Sequence, residues 1–172
     1  MFDILTIGDC TVDTFIVIDD NEASLQCDLN QKNCLLCLNY ADKIPIKNTH
    51  QAIGGNAANL AIGGRRLGLK TAIYTELGED FNGYIIQEEL KKNLVSTSLV
   101  KMLKKQETRF SIILNYLAER TILSSQFQRN YQPPNFSQTA WLYYTSLSAG
   151  FEKIQNKIIE HLKKHPETKL AV

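Results

Sequence analysis

The chain has 172 residues, carries a formal charge of +1 from 19 Lys and Arg against 18 Asp and Glu, and is 44% hydrophobic and 22% charged. Such a composition belongs to about one ordinary globular domain. It excludes a disordered chain, and 9 Gly with 4 Pro exclude a collagen-like one. Near-neutral charge supplies no general drive toward nucleic acid or an acidic membrane surface, and no apolar run approaches the ~20 residues that span a bilayer. Met1-Phe2-Asp3 puts an acid where a signal peptide needs positive charge, and Gly8-Asp9 ends the first apolar run, so a cytoplasmic protein is expected.

Ile4 to Ile7 alternates as a short buried strand that stops at Gly8, and Val12 to Ile18 forms a second. Asp19 to Asn33 is polar and reads as a loop. Cys34 to Asn39 and Ile44 to Ile46 read as short strands around a turn, with Pro45 best tolerated on an edge. The period then changes. Asn56 to Leu67 is a predicted helix whose buried face, Ala57, Ala58, Ala61 and Gly64, is small enough to pack closely on a sheet.

Thr71 to Thr75 is the next strand, and Gly78-Glu79-Asp80 turns into a helix with Asp80 as N-cap and Phe81, Ile85 and Leu94, flanked by Tyr84 and Leu90, as its apolar side. A short segment from Val100 to Leu103 follows. Phe110 to Leu117 and Thr121 to Leu123 flank Ala118-Glu119-Arg120 as a hairpin. Beyond Pro133-Pro134, Ala140 to Thr145 is a strand, and Phe151, Ile154, Ile158, Ile159 and Leu162 define an amphipathic helix. Pro166 ends it, and Lys169 to Val172 begins another strand. This alternation predicts an α/β fold, a doubly wound and largely parallel sheet flanked by helices and interrupted by hairpins. A last strand that stops at once has no reason to pair, so a truncated piece of a longer protein is expected.

Four cysteines are too few for a disulfide scaffold at this length. Cys34-x-x-Cys37 has the spacing of half a zinc site with Cys27 as a third ligand, yet the nearest imidazole is His50 and the ligand set is incomplete. In Leu35-Leu36-Cys37-Leu38 cysteine reads as a small hydrophobe, and packing is the favoured reading over metal.

Gly54-Gly55-Asn56-Ala57-Ala58-Asn59 carries the chemistry. Two glycines at a loop-to-helix junction let backbone approach a ligand and expose amide N–H groups at a helix start. Asn59, one turn in, both donates and accepts, which suits a ligand hydroxyl. The bland alternative is a tight entry turn. The segment is neither a Walker phosphate loop, lacking Gly-Lys-Ser/Thr, nor a Gly-x-Gly-x-x-Gly fingerprint.

Gly54-Gly55-x-x-x-Asn59 followed by Gly63, Gly68, Gly78, Asp80 and Gly83 resembles the first signature of the ribokinase-like (PfkB) carbohydrate kinase family. Ile7-Gly8-Asp9-Cys10-Thr11-Val12-Asp13 resembles that family's opening strand and substrate-binding aspartate. Glu107-Thr108-Arg109-Phe110 resembles its second lid hairpin, and Thr145-Ser146-Leu147-Ser148 the loop after a central strand. The resemblance implies transfer of the γ-phosphoryl group of ATP, with Mg, to a hydroxyl of a sugar. A nucleoside kinase on the same scaffold is the alternative, with Phe15 and Phe110 covering a base or else packing the lid. A non-catalytic binding module is the third reading, for a chain complete at Val172.

By the same resemblance, Asp13, Gly54, Gly55 and Asn59 hold the acceptor's hydroxyls. Arg109 after Thr108 resembles the Thr-Arg pair that meets a phosphate in sugar-phosphate kinases, and otherwise reads as solvated. Segments near 11–18, 34–50 and 106–126 would form a small β-sheet lid, which in such kinases often pairs two subunits into a homodimer. The family's second signature, Asp-x-x-Gly-Ala-Gly-Asp, with its catalytic base, anion hole and much of the nucleotide site, is nowhere in these residues. The segment alone is expected to bind part of a sugar and to phosphorylate nothing.

Overall fold

The computed structural model describes residues 1–30 and 32–172; residue 31, within the predicted Asp19 to Asn33 loop, lies outside the described residues. The chain divides into two compact units, the first made of residues 1–12, 53–110 and 125–172, the second of 13–52 and 111–124. In chain order the elements are β1 (Phe2–Ile7), β2 (Thr11–Ile18), β3 (Ala23–Cys27), β4 (Cys34–Leu38), β5 (Ile46–Gly54), α1 (Asn56–Arg66), β6 (Thr71–Tyr74), β7 (Glu76–Gly78), α2 (Phe81–Lys92), β8 (Lys101–Leu103), β9 (Phe110–Tyr116), β10 (Glu119–Ser124), β11 (Thr139–Tyr144), α3 (Glu152–Lys164) and β12 (Lys169–Ala171).

The first unit is built on a sheet ordered β12-β11-β1-β6, in which β12–β11, β11–β1 and β1–β6 all pair parallel. A parallel sheet must be covered on both faces, and alternation along β6 shows how this one is. Ile73 joins one apolar cluster with Ala57, Ala58 and Ala61 of α1 and Ile86 and Leu90 of α2. Ala72 and Tyr74 join the other, with Leu5, Ile7, Leu142 and, from α3, Ile154 and Ile158. The mixed α/β architecture expected from the alternating elements is therefore the one found.

The small-residue face of α1 is buried as predicted, at Ala57, Ala58, Ala61 and Gly64. Gly64 lies so close to the sheet that a Cβ there would meet the Thr71 methyl at 2.8 Å, and the Thr71 hydroxyl donates to the Ala61 carbonyl at 2.9 Å. Asp80 caps α2, its carboxylate accepting from the Gly83 N–H at 2.8 Å. The buried face of α2, however, is Gly83, Ile86 and Leu90, whereas Phe81, Tyr84 and Leu94 are exposed. Gly83 explains the rotation: a Cβ there would lie 2.1 Å from the Gly78 carbonyl, so this side of the helix meets backbone.

The second unit centres on a sheet ordered β10-β9-β2-β5. β9 and β10 are antiparallel and joined by Leu117-Ala118, both at positive φ (48° and 65°), the conformation that matches strand twist in two-residue hairpins. The turn thus falls one residue earlier than the predicted Ala118-Glu119-Arg120. Phe15 stacks on His50 with ring centroids 4.5 Å apart.

Four readings are corrected here. The polar stretch from Asp19 contains a strand, β3, paired antiparallel with β4. Cys27 and Cys34 face each other in that register with Cα atoms 4.1 Å apart and form a disulfide, where packing as small hydrophobes was expected; Cys10 and Cys37 stay free. The predicted Ile44 to Ile46 strand instead starts at Ile46 and runs to Gly54. The fourth concerns β12, which pairs with β11 through Trp141, Leu142 and Tyr143. Among the described residues no helix is long and apolar enough to cross a membrane.

His161 gives the first unit a pH dependence. Its ring is buried at the end of α3, edge-on to Phe136 and 4.6 Å from the His165 ring, with Nε2 lacking a partner. Burial, followed by the neighbouring charge of His165, lowers its pKa from the ordinary 6.5, Glu167 opposing weakly. The folded state then binds a proton less readily than the unfolded state, so stability is lost as the pH falls through about 6.5. Urea unfolding at pH 7.5 and 5.5 should show a loss in the wild type that is smaller in His161→Leu; equal losses would remove His161 as a cause.

Candidate functional site

Ligands of open α/β sheets gather beyond the carboxyl ends of the strands. Here β1 ends at Ile7 and β11 at Tyr144, and the residues just past them meet. Asp9 donates its N–H to the Ser146 carbonyl at 3.0 Å, and its side chain, 4% exposed, turns into the first unit. Oδ1 accepts from the Tyr131 hydroxyl at 2.7 Å. Oδ2 accepts from the Ser148 N–H at 2.9 Å and the Ser148 hydroxyl at 2.6 Å, and lies 3.4 Å from Arg109 Nη1. Burial and the charge of Asp9 raise the Tyr131 phenol far above its ordinary range, so it serves as a fixed donor.

Gly55 leans on the same residue. It sits at φ 93°, and a Cβ there would fall 2.4 Å from the Asp9 carbonyl oxygen. Only glycine allows both the left-handed backbone and that approach. Its carbonyl accepts from the Asn59 N–H at 3.0 Å, which starts α1, and the Asn56 side-chain amide donates to the Thr145 hydroxyl at 3.3 Å. Next to this turn, burial pushes the Cys10 thiol up to about 12, so it is a packed group and no nucleophile.

Arg109 is delivered by two anchors. On one side, Asp80 Oδ2 accepts from the Thr108 N–H at 2.7 Å, and the Thr108 hydroxyl accepts from the Gly78 N–H at 2.9 Å. Burial works to raise the Asp80 carboxyl, but the N–H groups of Thr108 and Gly83 donate to it and hold it below the usual range. On the other, the buried Arg129 donates to the Gln106 side chain at 3.0 Å and to the Glu107 carbonyl at 2.6 Å. Between them Arg109 lines a cavity of about 410 Å³ with Gln126, Phe127, Gln128, Leu147, Ser148 and Ala149. The wall offers a cation, two amides and a hydroxyl, a set suited to a hydroxylated ligand.

Of the residues singled out in the sequence, Gly55 and Arg109 converge on Asp9, Gly54 is buried beside Gly55, and Asn59 is exposed one turn into α1. Asp13 lies half-buried on β2 in the second unit. Sequence reasoning quoted Asp9 and Ser148 inside longer segments without giving either a role, and it missed Tyr131 and Arg129. The signal that points to Asp9 is an acid immediately after a buried strand, where a charge must find partners.

The fold and this site define an α/β protein with a ligand cavity at its strand ends, and the comparisons say which. Residues 14–167 match the pfkB family carbohydrate kinases, and the chain belongs to that family. A nucleoside kinase of Methanothermobacter thermautotrophicus is 30% identical over 82 residues, covering 44% of this chain and 26% of that protein. Among solved structures, the ribokinase of Cryptococcus neoformans in complex with ADP aligns with a TM-score of 0.71 at 15% identity, over 99% of this chain and 50% of that one. The Arabidopsis thaliana ribokinase complexed with ribose and ATP gives 0.71 at 16% identity, over 99% and 53%. The nucleoside kinase of Methanocaldococcus jannaschii gives 0.65 at 19%, over 92% and 48%. The chain spans about half the length of these solved relatives and a smaller share of the curated one.

Gly55→Ala should destabilise the protein by about 2 kcal/mol or more, through strained backbone and a clash with Asp9. Gly63→Ala, in the same helix with nothing within 4 Å of a new Cβ, should instead gain about 0.5–1 kcal/mol from helix propensity. Thermal melts of the two variants check both signs, and equal behaviour would contradict the close approach at Gly55.

Proposed function

We propose that this chain carries the acceptor-binding part of an ATP-dependent phosphotransferase that acts on a hydroxyl of a sugar. One observation carries the reading: the Gly54-Gly55 turn rests on the Asp9 peptide at the carboxyl end of β1, inside a chain that belongs to the pfkB family. In this reading Asp13, Gly54, Gly55 and Asn59 bind the acceptor's hydroxyls. Arg109 meets its polar or anionic part at the cavity wall. Segments near 11–18, 34–50 and 106–126 form the lid that excludes water, and two copies pair through it. The setting is cytoplasmic, where ATP is available.

Phosphoryl transfer depends on holding the acceptor in line and stabilising the charge that develops. This segment does the first. ATP would supply the phosphoryl group together with Mg, but among the described residues no group of three or more His, Cys, Asp or Glu side chains is placed to hold a metal. The second family signature is also missing from the sequence, so no catalytic base is assigned. A nucleoside acceptor is the second reading, favoured by the 30% identity to a nucleoside kinase.

Two outcomes are expected. The 172-residue polypeptide alone should show no ATP-dependent phosphorylation of any sugar or nucleoside, because the preorganised charge stabilisation that dominates such catalysis is absent; turnover above background contradicts these roles. In the full-length chain, Asp13→Ala should weaken acceptor binding about ten- to a hundredfold, as a carboxylate–hydroxyl bond is lost. Calorimetry with a panel of sugars and nucleosides measures this and identifies the acceptor, ATP affinity being unchanged. Unaltered acceptor affinity would make Asp13 a plain surface acid.

A further inference from the structure

We propose that Asp9 is a positioning residue of the acceptor site, acting through Arg109 and Ser148, a role that rests on the phosphotransfer reading and adds to its site residues. Asp9 is 4% exposed, and a carboxylate so buried requires compensation. Tyr131 and Ser148 supply three neutral donors, at 2.7, 2.9 and 2.6 Å. These satisfy its lone pairs but carry no charge. Arg109, 3.4 Å away, supplies it.

Two consequences follow for a ligand in the cavity. Arg109 is the charged residue among those described in the cavity wall, and its guanidinium sits at the end of a long flexible stem. Asp9 fixes where that planar group points and offsets its charge. Ser148 lines the same wall, and its hydroxyl hydrogen is committed to Asp9. Its oxygen therefore faces a ligand as an acceptor. One buried carboxylate thus sets a donor and an acceptor side by side, the pair that a ligand hydroxyl needs, since it both accepts and donates. Tyr131 bonds both Asp9 Oδ1 and the Ser148 N–H and does not line the cavity.

Steady-state kinetics on the full-length chain tests this. Asp9→Asn keeps the size: its oxygen can still accept from Ser148 and its amide can donate to Tyr131, while the charge is lost. It should raise the acceptor KM about tenfold or more and leave the ATP KM within about twofold. Arg109→Gln should do the same and also lower the melting temperature, because Asp9 is left without its counter-charge, and the double variant should be no worse than the weaker single one, because both act through one pair. Tyr131→Phe, which removes hydrogen bonds to Asp9 and Ser148 but no charge, should lower the melting temperature and move the acceptor KM less than Asp9→Asn does. Folded Asp9→Asn with an unchanged acceptor KM, or effects that multiply in the double variant, would overturn the role of Asp9. Should Asp9→Asn not fold, an unchanged acceptor KM in Arg109→Gln overturns it equally. A full-length wild-type protein that phosphorylates no sugar or nucleoside would remove the phosphotransfer reading and this role together, whereas full-length wild-type turnover with unaltered variants removes only the latter.

Discussion

A carboxylate almost withdrawn from water must be answered by donors, and in this protein the answer to Asp9 comes from three stretches of chain far apart in sequence. Tyr131 lies in the segment before β11, Ser148 in the loop after it, and Arg109 at the approach to β9. Each is drawn to one point just beyond β1. A surface ion pair contributes little because water competes for both partners, but here both exposure and freedom are small. Removing the acid would leave Ser148 and Tyr131 as buried polar groups without their acceptor, a cost larger than the bond itself.

The main chain of the same residue answers a second demand. Gly55 lies against the Asp9 carbonyl, so the turn that starts α1 is placed by the strand end that also fixes the side-chain network. From there the small-residue face of α1 can sit close to the sheet, and Thr71 bonds back to its carbonyl at Ala61. Glycines at Gly78 and Gly83 allow a similar approach between α2 and the segment leading to Thr108. Backbone-to-backbone contact, rather than large side chains, sets the geometry around the cavity.

The parts of this arrangement that follow a local rule were legible in the sequence. Period and small residues marked α1, Asp80 marked the start of α2, and the paired glycines marked the turn. What depends on distant partners was not. The polar residues of β3 gave no strand pattern because that strand is exposed on most positions and owes its existence to β4. The face of α2 was misjudged because Gly83, an apparent gap, lies against the Gly78 carbonyl. Among site residues, Gly55 and Arg109 carried motif signals, whereas Tyr131 and Arg129 sit in a stretch without period, and only the folded chain shows what they hold.

The disulfide on the hairpin of β3 and β4 has a consequence for local unfolding. Two strands alone in water are marginal, and this pair has little apolar cover: Leu25, Leu35 and Leu38 are all exposed. The Cys27–Cys34 bond closes a loop with a separation of 7 residues, and by loop-closure entropy such a short cross-link removes about 2–3 kcal/mol of freedom from the opened chain. With the bond reduced, the pairing rests on the backbone ladder itself, on the Tyr116 hydroxyl at the Ala23 carbonyl and on Asp28, which accepts from the Lys32 N–H and the Asn33 amide. The hairpin is then a separate cooperative segment, whose amide exchange follows the thiol–disulfide balance of its surroundings while the parallel sheet exchanges only with global opening.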